Sequence, residues 1–181
     1  MNKRRAFVVG TNVSKSLSPT IFNYWFKKYN IKASYGYLEL TEKNFHRKIK
    51  EVLEKKDTLG LNVTIPFKNK IIKHLGKIDA HAKKIGAVNC VTNKKTINGT
   101  NTDWTGYYKT LPNIKKTKNR KVIILGYGGA SRAIHYVLKK RGFRDILIFN
   151  RSKKKIKYSK KTEYTKKYSD LEAHLEGVFL I

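Results

Sequence analysis

An α/β architecture in two parts is the fold this sequence predicts: an N-terminal domain with a mostly parallel sheet over residues 1–111, then an incomplete strand–helix unit over residues 120–181. Three observations predict it. Short apolar runs alternate with helical patterns in β-α-β-α-β order through residues 1–100. A polar, lysine-rich stretch at 112–119 breaks that pattern and reads as a linker. Beyond it, a strand pattern, a glycine cluster and a helical pattern follow one another directly.

Ala6-Phe7-Val8-Val9 before Gly10 reads as a short buried strand. Ser18-Pro19 opens a helix, Ser suiting the N-cap and Pro the first helical position. Ile21, Phe22, Trp25, Phe26 and Tyr29 recur at helical spacing, which predicts a broad apolar face with Trp25 in the core. Tyr35 to Leu40 is strand-like, and Thr41, Asn44 and Phe45 begin a helix running to about Lys55. Leu59 to Ile65 alternates as a strand and is closed by Pro66; helical stretches cover Asn69 to Leu75 and Asp79 to Ile85. Gly86 to Thr92 and Thr96 to Thr100 form a strand pair around a turn at 93–95, and Asp103 to Leu111 makes a connecting helix. In the second part come a strand at Val122 to Leu125, a helix to about Arg141 and a strand at Ile146 to Phe149. A weak helix around Lys153 to Lys161, the stretch Ser169 to His174 and an apolar run from Val178 to Ile181 complete it.

The 41 Lys and Arg against 12 Asp and Glu give a formal charge of +29, which attracts polyanions. The lysines are spread along the chain, with runs only at 153–155, 160–161 and 166–167. A nucleic-acid binder concentrates its charge instead, so the surplus reads as solvated surface and nucleic acid is not the expected partner. Cys90 is the one cysteine, so no internal disulfide forms and a reducing compartment is expected. The apolar run after the basic N-terminus is too short for a signal peptide, and nothing approaches the roughly 18 to 20 apolar residues of a membrane span. The expected location is the cytoplasm, without a membrane partner. His46, His74, His81, His135 and His174 lack metal-like spacing, and no metal site is expected.

Gly126-Tyr127-Gly128-Gly129-Ala130-Ser131 lies between a strand and a helix. Glycines there allow a tight turn and let backbone N–H groups approach a pyrophosphate at the helix N-terminus, the Rossmann arrangement. Ser131 stands where the usual third glycine would be. At the end of the second strand, where an NAD site places an acid for the ribose, this chain has Asn150-Arg151-Ser152 with Lys155 one turn on. A guanidinium can bind a 2′-phosphate bidentately, so NADP is favoured over NAD.

Ser16-Leu17-Ser18-Pro19, Asn62-Val63-Thr64-Ile65-Pro66-Phe67-Lys68, Gly86-Ala87-Val88-Asn89 and Asn101-Thr102-Asp103 each lie at a strand end or helix start. Carboxyl ends of strands are where open α/β sheets bind ligands. Together the four segments offer hydroxyls, amides, an ammonium and a carboxylate, a lining suited to a small polyhydroxylated acid. On spacing alone Ser18 could equally be only a helix cap, whereas Asn89 reads first as a turn amide and Lys68 as one more solvated lysine.

In this order, followed by the glycine turn with Arg132 and by Asn150-Arg151-Ser152, these segments resemble the shikimate dehydrogenase family from about Phe7 to the end of the chain. The resemblance implies NADPH-dependent reduction of 3-dehydroshikimate to shikimate in aromatic amino-acid (chorismate) biosynthesis; quinate is the alternative substrate. It implies that Ser16 and Ser18 hold the substrate carboxylate and that Thr64, Asn89 and Asp103 bind ring hydroxyls. Lys68 and Asp103 would be the catalytic pair, the lysine giving a proton to the oxygen that hydride transfer leaves negative. A homodimer is the assembly left open. Only 62 residues follow Asn119, against the roughly six strands of a full dinucleotide-binding sheet. The expectation is therefore a truncated product or a gene remnant, either an active reductase or a non-catalytic fragment.

Overall fold

The computed structural model describes residues 4–111, 121–156, 164–175 and 178–180. Contacts divide the chain into two compact units, Met1–Ala82 with Ala87–Asn101, and Lys83–Gly86 with Thr102–Ile181. The stretch expected to be a linker lies outside the described residues.

In the first unit, β1 (Arg4–Gly10), β2 (Ala33–Glu39) and β3 (Thr58–Val63) are parallel neighbours, with β1 between the other two. Helix α1 (Ser18–Lys28) connects the first pair and α2 (Phe45–Leu53) connects β2 to β3. The sheet continues through β4 (Lys77–Ile78), β5 (Cys90–Asn93) and β6 (Ile97–Thr100), giving the order β2-β1-β3-β5-β6-β4. β5 runs antiparallel to both β3 and β6. A short helix, α3 (Ala80–Ile85), begins where Asp79 Oδ1 accepts the backbone N–H groups of His81 and Ala82 at 2.7 and 3.0 Å.

Alternation along β1 splits the core. Val9 joins a cluster with Phe45, Ile49, Leu53, Leu61, Val63, Phe67 and Ile71, whereas Val8 packs with Val13 and Tyr35. The α2 contribution is a strict i, i+4, i+8 row of Phe45, Ile49 and Leu53. The rings of Phe45 and Phe67 stack at 4.2 Å and 14°, both fully buried. His46 Nδ1 and His74 Nε2 meet at 2.8 Å, tying α2 to the short 3-10 turn Ile71–His74.

Three sequence expectations change here. Residues 69–75 form only that four-residue turn, because the chain is already extended at Leu75. The row on α1 is amphipathic the other way round: Phe22 and Phe26 pack inward, while Ile21, Trp25 and Tyr29 are exposed, Trp25 by 45%. Periodicity fixed the spacing of that face but not which edge of it meets the sheet. Ser18 is the first helical residue and not its cap; Leu17 holds the cap position without a side-chain bond.

The second unit contains α4 (Asp103–Thr110), β7 (Lys121–Leu125), α5 (Gly129–Lys140), β8 (Ile146–Phe149) and β9 (Val178–Leu180). Its described sheet is parallel in the order β8-β7-β9. Val122, Ile124, Tyr127, Leu138, Phe143 and Ile148 form its core. α4 packs on α5: Trp104 meets Tyr136 edge-on at 5.8 Å, and Arg141 lies 3.8 Å over the Tyr108 ring while donating to the Tyr108 carbonyl. The weak helix expected at 153–161 is not helical in its described part; Lys155 bridges Tyr164 as extended chain instead. Four lysines within five residues repel at helical spacing, which disfavours a helix there. Among the described residues no helix is long and apolar enough to cross a membrane.

Candidate active site

Because β1 and β3 are parallel, Gly10 and Val63 end on the same edge of the first sheet. A cavity of about 510 Å³ opens there, lined by Asn12, Ser16, Ser18, Asn62, Thr64, Lys68 and Asn89, with Val8, Val13, Phe22 and Val63 as apolar floor. Five of the six residues expected to meet a substrate are thus brought together: Ser16, Ser18, Thr64, Lys68 and Asn89. The sixth, Asp103, is the first residue of α4 in the second unit.

Backbone bonds fix three of the five. Thr64 N–H donates to Val9 at 2.8 Å, continuing the β1–β3 ladder past its formal end. Val63 N–H donates to the Asn89 carbonyl at 2.8 Å, so the turn before β5 is stitched beside the end of β3. The Lys68 carbonyl accepts Val88 N–H at 2.7 Å, while the neighbouring Phe67 ring is buried in the core. Lys68 is therefore anchored at its base and directed by a packed aromatic residue. That separates it from the lysines spread over the surface.

The two serines are coupled. Ser16 Oγ accepts the Ser18 backbone N–H and donates to Ser18 Oγ, both at 3.2 Å. Two hydroxyls converge at the start of an 11-residue helix, whose dipole favours an anion there. A carboxylate sequence reading did not single out holds this loop: Glu39, at the end of β2, accepts Val13 and Ser14 N–H at 3.0 and 3.1 Å. Bonds from Ser14, then from Val13, hold the Glu39 carboxyl below its ordinary range. A carboxyl with a depressed folded value contributes stability above its unfolded pKa, about 4.3, and loses it as pH falls through the lower folded value. Hydrogen exchange should therefore find the Val13 and Ser14 amides protected at neutral pH and unprotected once pH has fallen through the lowered folded value, or at neutral pH in Glu39→Ala. Equal protection in both proteins would remove Glu39 from this role.

In the second unit the glycine cluster forms the turn from β7 into α5. Gly126 has φ +90°, a left-handed conformation that a side chain resists. A Cβ added to Gly128 would meet nothing within 4 Å, so that face of the turn is open to the close approach of a phosphate. Ser131 occupies itself locally, its Oγ accepting the Gly128 N–H at 3.0 Å. The Tyr127 side chain is core, leaving only its backbone on the turn, and Asn150 braces that backbone by accepting Tyr127 N–H at 3.2 Å. Asn150 also donates to the Ser152 carbonyl at 2.8 Å. Ala130 lies in the first turn of α5, and Arg151, Ser152 and Lys155 are exposed beyond β8. A dinucleotide with a 2′-phosphate fits these residues: an open glycine turn, a helix start and an exposed guanidinium at the strand end.

Residues 8–91 match the shikimate dehydrogenase substrate binding domain. A shikimate dehydrogenase (NADP(+)) of Clostridium botulinum is 40% identical over 161 residues, covering 86% of this chain and 62% of the relative. The crystal structure of shikimate dehydrogenase from Aquifex aeolicus superposes with TM-score 0.73 at 35% identity, over 84% of this chain and 58% of that one. That of Thermus thermophilus, in complex with NADP(H) and shikimate, gives TM-score 0.68 at 29% identity, over 82% and 56%. This chain spans 54% to 62% of the length of such curated relatives.

Proposed function

We propose that this chain, which matches the shikimate dehydrogenase substrate binding domain over residues 8–91 and is similar to shikimate dehydrogenases, binds shikimate and 3-dehydroshikimate and interconverts them with NADP. The observation that carries this reading is the gathering of Ser16, Ser18, Thr64, Lys68 and Asn89 around one cavity inside that domain. The substrate role is assigned within residues 1–111 and the cofactor role within 120–181.

The Ser16 and Ser18 hydroxyls at the α1 start would hold the substrate carboxylate. Thr64 and Asn89 would hydrogen-bond ring hydroxyls, and Asp103 would accept a hydrogen bond from one. Lys68 would donate a proton to the carbonyl oxygen as it becomes a hydroxyl, and take it back in the reverse direction. The backbone of the 126–131 turn would receive the pyrophosphate, and Arg151, with Ser152 and Lys155 beside it, the 2′-phosphate. NADP(H), when bound, supplies or accepts the hydride.

The test is oxidation of shikimate with NADP, followed by the absorbance of the reduced nicotinamide, alongside calorimetric binding of shikimate. Turnover is expected for shikimate and slower turnover for quinate. Shikimate binding without turnover would mark a non-catalytic substrate-binding protein, and neither would overturn the reading. Arg151→Ala should raise the KM for NADP about 10- to 100-fold, the loss of roughly 1.5 to 3 kcal/mol from a charge-assisted pair, and leave that for NAD much less changed. Equal effects on both cofactors would remove Arg151 from 2′-phosphate recognition.

A further inference from the structure

Asn62 reaches the cavity from β3, and its side chain is not left to choose its own orientation. Tyr35, on β2, donates its phenol O–H to Asn62 Oδ1 at 2.7 Å. Tyr35 is itself fixed from three directions. Its ring stacks on Phe22 at 4.5 Å and 8°. Its backbone N–H donates to Asn23 Oδ1 at 2.9 Å, and its carbonyl accepts from Asn23 Nδ2 at 2.8 Å. Only 5% of Tyr35 is exposed, and Tyr35 does not line the cavity, whereas Asn62 does.

We propose that Tyr35 is a positioning residue that turns the Asn62 amide so that its NH₂ group serves the cavity as a donor, which requires an acceptor oxygen on the ligand at that point. The amide is planar and has one acceptor and one NH₂ group on opposite branches. With the acceptor engaged by the phenol, the NH₂ branch is what remains for a ligand. The phenol stays an O–H donor, since burial and then the nearby Cys90 push its pKa up. A flipped amide would set NH₂ against the phenol and offer the ligand an acceptor instead, and the discrimination between ligands would reverse. Neither the motif spacing nor the cavity lining by itself carries this polarity; it comes from a residue 27 positions away in sequence.

The inference rests on the proposed function only for the identity of the ligand. In ¹⁵N-labelled protein without ligand, the Asn62 side-chain NH₂ signals are identified by their loss in Asn62→Asp. Tyr35→Phe, which keeps the ring stacked on Phe22, is expected to shift those signals while leaving the backbone amides of β3 in place. Shikimate is expected to bind Tyr35→Phe about tenfold more weakly, the size of one buried hydrogen bond. Asn62→Asp keeps an acceptor for Tyr35 but replaces the donor facing the cavity by oxygen, and should weaken shikimate binding by more than the Tyr35 variant does. Unmoved NH₂ signals in Tyr35→Phe, or wild-type affinity in either variant, would overturn the proposal. Shifted NH₂ signals in a wild-type chain that binds no shikimate would uphold the Tyr35–Asn62 orientation and sink the substrate assignment instead.

Discussion

Replacing Lys68 by alanine is expected to slow shikimate oxidation by about 10²- to 10⁴-fold, the range of a lost general acid–base group. The dissociation constant for shikimate should rise by much less, since the hydroxyls and amides around the cavity remain. Loss confined to turnover is the mark of an interaction made in the transition state. Lys68→Arg separates charge from proton transfer. It keeps a cation in the cavity, but a guanidinium does not release its proton, so turnover should stay low. Methionine at 68 keeps the stem length and removes both. Turnover near the wild-type rate in any of the three would take Lys68 out of the mechanism. A matching loss of binding and turnover would make it a binding residue.

Phe45→Ala is expected to cost roughly 3 to 5 kcal/mol of folding stability, the usual range for a truncated core aromatic. Phe45 is fully buried, it stacks on Phe67, and it heads the row through which α2 meets the sheet. Total stabilities of single domains run from about 5 to 15 kcal/mol, so this one substitution threatens the first unit outright. Denaturant unfolding checks it: the midpoint should fall with little change in slope. Phe45→Leu refills most of the space and should lose less. Where Phe45→Ala still folds, turnover should suffer too, because Phe67 sets the base of Lys68. A stability within about 1 kcal/mol of wild type would show that the cluster collapses around the gap.

Much of this was legible along the chain because it is local. The strand at 146–149 was bounded correctly by its apolar run, and the split of Val8 and Val9 to opposite faces follows from pleating alone. Ser16, Thr64, Lys68 and Asn89 could be picked out as short segments at element ends. Asp103 shows the limit of such reading, since its segment runs on into a helix that belongs with the second unit. What stayed hidden is non-local. Glu39 grips a loop 25 and 26 residues away, and Tyr35 acts through Asn62; no spacing rule connects either pair. Trp25, exposed where periodicity predicts core, differs for another reason. Helical periodicity locates an apolar face, but only its packing against Val8, Val13 and Tyr35 decides which part of that face is covered.

The antiparallel return of β5 against β3 has a further consequence. Gly60 pairs with Thr92, and a Cβ there would drive into the Val91 carbonyl, so the two strands approach more closely than side chains permit. That close approach carries Asn89 to the end of β3 and leaves it beside Asn62 and Thr64. The shape of the cavity wall is thus tied to a residue that does not line it. A library randomised at the cavity wall alone would explore specificity freely, whereas one that also varied residue 60 would lose the wall itself.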